Sequence, residues 1–264
     1  MRRLLAILLA VGMNAAAAQT ALPVFAAGSL RAPLTEAARA FEATPAGTPL
    51  ALVFGASGLL RDRIRSGEAA QVFASANMEH PQSLAGNGWG ATRAFARNAL
   101  CALAPARLGL KPEALVATLL DPNIKLGTST PKADPSGDYA FEMFARIGRS
   151  AGAPPGAQAA LEAKALQLTG GPSSPAPPAG RNVYGVLVAN GEADVFITYC
   201  TNAVVAMGEQ PGLQSIDVPA AINVTADYGL AVRNGAPPAA QAFADYLSSA
   251  AGQAVLQRHG FQPL

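Results

Sequence analysis

Apolar residues along this chain fall in two alternating rhythms. Some form short continuous runs and others recur every three or four positions. The runs fit buried strands, and the spaced positions fit amphipathic helices. Strand-like runs occur at residues 24–27, 50–54, 71–76, 98–105, 124–127, 193–200 and 228–232. Helical spacing follows Ser29, with Leu34, Ala37, Ala38 and Phe41 on one stripe, and returns at 58–66, 112–120, 138–147, 183–190, 238–247 and 253–258. Strands alternating with helices predict an α/β protein with largely parallel sheets. The Pro/Gly-rich stretch at 170–180 forbids regular structure and reads as a surface connector, with a lid over a ligand as the alternative.

Two of the junctions share a design. Val24-Phe25-Ala26-Ala27-Gly28-Ser29-Leu30 and Leu52-Val53-Phe54-Gly55-Ala56-Ser57-Gly58 each run from an apolar strand through a tight small-residue turn into a helix. A serine at a helix start places a hydroxyl and several unpaired backbone N–H groups at one spot, an arrangement that suits an anion. Asp134-Pro135-Ser136-Gly137 and the Asn182-Val183 helix entry repeat the theme. One such serine is usually only a helix cap. Several at successive strand-to-helix junctions point to a ligand, because ligands in open α/β sheets collect beyond the carboxyl ends of the strands.

Length, charge and cysteines narrow the class. At 264 residues, half of them hydrophobic and 14% charged, the chain can bury a large core. Met1-Arg2-Arg3, an apolar stretch to Met13 and the small residues Ala16-Ala17-Ala18 read as a secretory signal peptide over residues 1–18. A membrane anchor is the alternative, but it needs a run of about 20 apolar residues. Of the 19 Lys and Arg, two fall in that leader, which leaves as many bases as the 17 Asp and Glu. A neutral mature chain has no electrostatic footprint for nucleic acid or anionic lipid. Export to an oxidising compartment allows Cys101 and Cys200 to pair, with buried free thiols as the alternative.

Other chemistries fit less well. A serine hydrolase needs glycine two residues either side of its nucleophile, whereas Ser57 has Gly55 before it and Leu59 after it. It also needs a base. The two histidines are His80, in a polar loop, and His259, in the terminal helix, and both read as solvent-facing or structural. Two histidines and two strand-buried cysteines show no metal-ligand spacing.

From Val24 to Phe261 the chain resembles the periplasmic molybdate-binding proteins of ABC importers. The resemblance lies in Phe25 to Leu30, Phe54 to Gly58, Val72 to Ala76, Tyr199 with Thr201-Asn202-Ala203, and Phe243-Tyr246-Leu247 to His259-Gly260-Phe261. It implies a two-lobed periplasmic-binding-protein fold of type II, with lobe 1 at 21–97 plus 229–264, lobe 2 at 98–228, and the ligand in the cleft between them. It implies that Ser29 and Ser57 hold a tetrahedral oxyanion through hydroxyl and backbone N–H, Ser136 and Val183 through backbone N–H, and Tyr199 through its phenol. These are hydrogen-bond donors to oxygen, so the protein needs no metal site of its own and no cofactor. Such donors suit a fully ionised anion, whereas an acid beside the site would select a protonated one. The ligand expected is molybdate or tungstate, with sulfate, phosphonate or a small organic anion as the alternative. The partners implied are a permease and its ATPase. The chain itself is expected to be a non-enzymatic periplasmic monomer.

Overall fold

Nine strands hydrogen-bond into one continuous sheet. The computed structural model describes residues 20–176 and 179–264, so the expected leader at 1–18 lies outside the described residues. In chain order the first elements are β1 (Leu22–Ala27), α1 (Arg31–Glu42), β2 (Leu50–Gly55), α2 (Ser57–Arg65), β3 (Val72–Ser75), α3 (Glu79–Gln82) and β4 (Arg93–Pro105). Then come α4 (Leu115–Leu120), β5 (Leu126–Ser129), α5 (Pro135–Arg149), α6 (Ala157–Lys164), β6 (Leu166–Thr169), α7 (Val183–Ala189) and β7 (Val195–Tyr199). The chain closes with α8 (Cys200–Glu209), β8 (Leu213–Asp217), β9 (Thr225–Val232), α9 (Pro238–Ser248) and α10 (Ala250–Arg258).

The strand order is β2-β1-β3-β9-β4-β7-β5-β6, with β8 added on β4. β1 pairs in parallel with β2 and β3, and β5 in parallel with β6 and β7. The joins between these groups are antiparallel, through β3 with β9 and through β4 with β9, β7 and β8. The sheet is therefore mixed, where the alternation of elements predicts a largely parallel one. The connections into the antiparallel strands carry helices too, α3 before β4 and α8 before β8, so the alternation of elements does not by itself fix strand sense. β4 carries the change of partner. Its residues 93–99 pair with β9, and from Leu100 onward it pairs with β7 and β8.

Local sequence accounts for the packing on each face. The predicted stripe on α1 is buried at Leu34, Ala37, Ala38 and Phe41, and Phe41 meets the rings of Phe243 at 5.2 Å and Tyr246 at 5.7 Å. Leu34 and Phe41 each stabilise by roughly 1.5 to 3 kcal/mol on leaving water, and the alanines by less. Phe144 and Ile147 on α5 are fully buried in the same core. Cys101 and Cys200 are joined by a disulfide. Cys200 is the first residue of α8 and not the end of a strand.

Candidate functional site

Because β2, β1 and β3 lie side by side in parallel, their carboxyl ends share one edge. That edge carries Ser29, on the helical turn Gly28–Leu30 after β1, Ser57, which opens α2, and Ala76, which follows β3. Ser57 is buried, and its Oγ accepts the Ala76 N–H at 3.1 Å. A hydroxyl that accepts still holds a hydrogen to donate, so Ser57 remains a donor.

Tyr199, at the end of β7, reaches the same place from the other half of the sheet. Its Oη donates to the Ala76 carbonyl at 3.3 Å. Tyr228, on β9, packs beside it with ring centroids 5.6 Å apart and places its Oη 2.8 Å from Ser29 Oγ. Asn98 Nδ2 donates to Thr201 Oγ1 at 2.8 Å and to Tyr228 Oη at 3.3 Å. An amide nitrogen can only donate, so both hydroxyls of the Ser29–Tyr228 pair keep their hydrogens and either can be the donor between them. Burial raises the pKa of both Tyr199 and Tyr228 well above the usual phenol value, so both stay neutral donors at neutral pH.

The two remaining predicted groups stand at helix starts. Asn182 Oδ1 caps α7 through the Gly185 N–H at 3.0 Å, a cap that does not involve the N–H of Val183. No hydrogen bond among the described residues joins Val183 to the other four. Ser136 differs from its expected role. Its N–H already donates to Asp134 Oδ1 at 3.0 Å, while its Oγ is fully buried with no partner. Asp134 caps α5 as an aspartate before Pro at the first turn commonly does. Burial pushes its pKa up to about 6, against the opposing effect of the Ser136 N–H.

Across the same edge, the Gly58 N–H donates to the Ala133 carbonyl at 2.8 Å, so the loop before α5 docks on the amino end of α2. A Cβ at Gly58 would lie 2.5 Å from the Lys132 carbonyl oxygen and 2.6 Å from that of Ala133. Only glycine permits this approach.

The histidines are engaged elsewhere. His80 is buried against α2 and not in a solvated loop, and its Nδ1 lies 3.0 Å from Arg61 Nη1. Burial, then the Arg61 charge, pushes its pKa down to about 4. His259 Nε2 lies 2.8 Å from Glu36 Oε2. Neither bonds to Ser29, Ser57 or Ser136 among the described residues. Sequence reasoning missed Tyr228, Asn98 and Ala76 as parts of this network, because each acts through partners distant in the chain. It took Asp134 only as part of the helix entry that carries Ser136.

The arrangement offers hydroxyl and amide hydrogens at the junction of two halves of a sheet, a setting for an acceptor-rich ligand. A family model for the bacterial extracellular solute-binding proteins matches residues 22–262. An uncharacterised protein of Pasteurella multocida is 35% identical over 242 residues, covering 91% of this chain and 98% of that one. Among solved structures, the sulfate-binding protein SubI of Mycobacterium tuberculosis superposes with a TM-score of 0.75 at 18% identity, over 93% of this chain and 87% of that one. The periplasmic molybdate-binding protein of Azotobacter vinelandii superposes with a TM-score of 0.72 at 17% identity, over 92% and 99%. No described helix is long and apolar enough to cross a membrane. With the two-part mixed sheet, these similarities establish that the chain has the periplasmic-binding-protein fold and belongs to the bacterial extracellular solute-binding protein family.

Proposed function

We propose that this protein is the capture component of an ABC importer for a small tetrahedral oxyanion, which it binds in a cleft between two lobes and delivers to the permease. The lobes would be 21–97 plus 229–264 and 98–228, joined where β4 and β9 run side by side. The observation that carries the reading is the convergence on Ala76, whose N–H donates to Ser57 Oγ and whose carbonyl accepts from Tyr199. Together with Ser29, this sets three hydroxyl groups around one edge, and Ser57, which accepts the Ala76 N–H, keeps its hydrogen to give.

Hydroxyl and amide donors in a partly buried cleft bind a charged acceptor more strongly than a neutral one, and closure of the lobes strengthens that further. Val183 and the amino end of α7 would add a backbone donor. Molybdate or tungstate is the first ligand by resemblance, and the likeness to the molybdate-binding protein of Azotobacter supports it. A second reading, a tetrahedral anion that carries a proton, such as hydrogen phosphate or a phosphonate, is favoured by the Asp134 carboxylate at the start of α5. Sulfate is the ligand named for one structural neighbour and belongs in the same test.

A thermal-unfolding screen against molybdate, tungstate, sulfate, phosphate and a phosphonate separates these. A ligand present at one hundred times its Kd stabilises by about 2.7 kcal/mol, enough to raise Tm visibly. No shift with any of the five, beside a shift with a neutral sugar or an amino acid, contradicts the proposal.

A further inference from the structure

A line of polar side chains runs from the interior of the sheet to the edge that carries Ser29. Asn98 lies on β4 where that strand changes partners, and its amide orientation is fixed because Oδ1 accepts the Ala99 N–H at 3.0 Å. Nδ2 therefore turns its two hydrogens the other way, one to Thr201 Oγ1 at 2.8 Å and one to Tyr228 Oη at 3.3 Å. Tyr228 Oη in turn lies 2.8 Å from Ser29 Oγ. Asn98, Thr201 and Tyr228 are buried, whereas Ser29 is half-buried, and a Cβ on the neighbouring Gly28 would meet nothing within 4 Å. Ser29 is thus the member of the line that reaches open space.

The Tyr228 ring is held in place. Phe95, Tyr199 and Phe261 pack around it with centroids 6.3, 5.6 and 5.2 Å away, and its backbone pairs with Ala96 of β4. Its buried hydroxyl has Asn98 and Ser29 as its hydrogen-bond partners among the described residues. In the free protein either member of the Ser29–Tyr228 pair can donate to the other. An anion on Ser29 removes that choice. Ser29 has one hydrogen, so to give it to the anion the serine must accept from Tyr228. Tyr228 already takes the Asn98 N–H and has its own hydrogen free for this.

We infer that Tyr228 is a positioning residue of the oxyanion site, which holds Ser29 as a donor to the bound anion through an ordered relay from the Asn98 N–H to the Tyr228 O–H to the Ser29 O–H. The inference rests on the oxyanion reading. No proton changes owner, since each group keeps its hydrogen and only the direction of each bond is set. A hydroxyl that accepts a hydrogen bond gives its own hydrogen more strongly, so the relay favours a charged oxygen at Ser29 over water. Without the Tyr228 hydroxyl the Ser29 hydroxyl rotates freely, and the anion alone must order it. Asn98 also holds Thr201 near the start of α8, just after Tyr199, so one amide steadies groups on both halves of the sheet.

A double-mutant cycle read by calorimetric titration tests this. Wild type, Tyr228→Phe, Ser29→Ala and the double variant are titrated with sodium molybdate, sulfate and phosphate, and the anion that wild type binds most tightly is followed through the cycle. Phenylalanine keeps the ring among its aromatic neighbours, and thermal unfolding checks that each variant folds. Tyr228→Phe weakens binding about tenfold where Ser29 is present and less than about twofold where Ser29 is alanine. A tyrosine that only fills the core costs the same factor in both backgrounds. That result overturns the inference, as does an unchanged Kd in Tyr228→Phe. A second cycle serves where Ser29→Ala binds too weakly to titrate. Asn98→Ala alone weakens binding about threefold or more, and added to Tyr228→Phe it weakens binding less than about twofold further. Costs that multiply in this cycle overturn the inference. Failure of wild type to bind any of the three anions overturns the oxyanion reading, and the inference with it.

Discussion

The Tyr199 hydroxyl donates to the Ala76 carbonyl over 3.3 Å and ties the end of β7 to the end of β3. A phenol has one hydrogen, so Tyr199 can serve Ala76 or a bound anion but not both. Binding would move that hydrogen from a neutral carbonyl to a charged oxygen, and only the difference contributes to affinity. Tyr199→Phe should weaken anion binding about tenfold, with the fold retained. An unchanged Kd by calorimetry would place Tyr199 outside the site.

Ser57 is tied to the same residue through the Ala76 N–H at 3.1 Å. Ser57→Ala should lower affinity about tenfold to a hundredfold through the lost hydrogen bond to a charged ligand. It should also cost about 1 to 3 kcal/mol of stability without ligand, because the buried Ala76 N–H loses its acceptor. Equilibrium urea unfolding and calorimetry on the same preparation separate the two effects. A stability loss with intact affinity would make Ser57 a structural residue alone.

Gly58 permits the loop before α5 to touch α2. Gly58→Ala puts a methyl group 2.5 Å and 2.6 Å from two carbonyl oxygens, which forces that loop to retreat. A larger radius of gyration in X-ray scattering and weaker anion binding are expected. No change in either would show that the loop yields without opening the halves.

Much of this architecture can be read from local pattern. The α1 stripe and the serine at the start of α2 follow from spacing and capping residues. The amino half of β4 is hidden, because Arg93 and Arg97 interrupt its apolar run. Their partners, Asp245 and Asp227, lie far along the chain. α6 and β6 escape notice because β6 is short and half-exposed. α8 and β8 are equally hard to see, since α8 leaves Val204 56% exposed and shows no clean stripe. The contact between Ser29 and Tyr228 spans 199 positions, and no periodicity records it. Asp134 is legible as a cap, but the tyrosines it faces are known only once β7 and α7 are packed.

His80 sets part of the acid sensitivity. Its pKa of about 4 lies below the unfolded value, so the unfolded chain binds more protons between about pH 6.5 and pH 4. The stability contributed is present above the unfolded pKa and is lost as pH falls through the folded one. His80→Gln should flatten urea midpoints over that window relative to wild type. Parallel curves would assign the acid loss to other groups. Asp134 contributes with the opposite sign, since its folded pKa of about 6 exceeds the unfolded value.

The disulfide between Cys101 and Cys200 joins positions with a sequence separation of 99 and holds β4 beside the end of β7, next to Tyr199. Reduction should lower stability by several kcal/mol in the chain-entropy description and loosen the Tyr199 strand, weakening anion binding. Thiol titration under denaturing conditions should give none before reduction and two after. Two before reduction, in protein exported to an oxidising compartment, would contradict the link.

Isothermal titration of the protein with molybdate, tungstate, sulfate and phosphate, repeated with Ser29→Ala, is the most direct measurement of whether the proposed cleft holds a tetrahedral oxyanion. One-to-one saturable binding of at least one of these anions, weakened about tenfold or more in Ser29→Ala, is the result expected. Absence of heat with all four, or binding that Ser29→Ala leaves untouched, would contradict it.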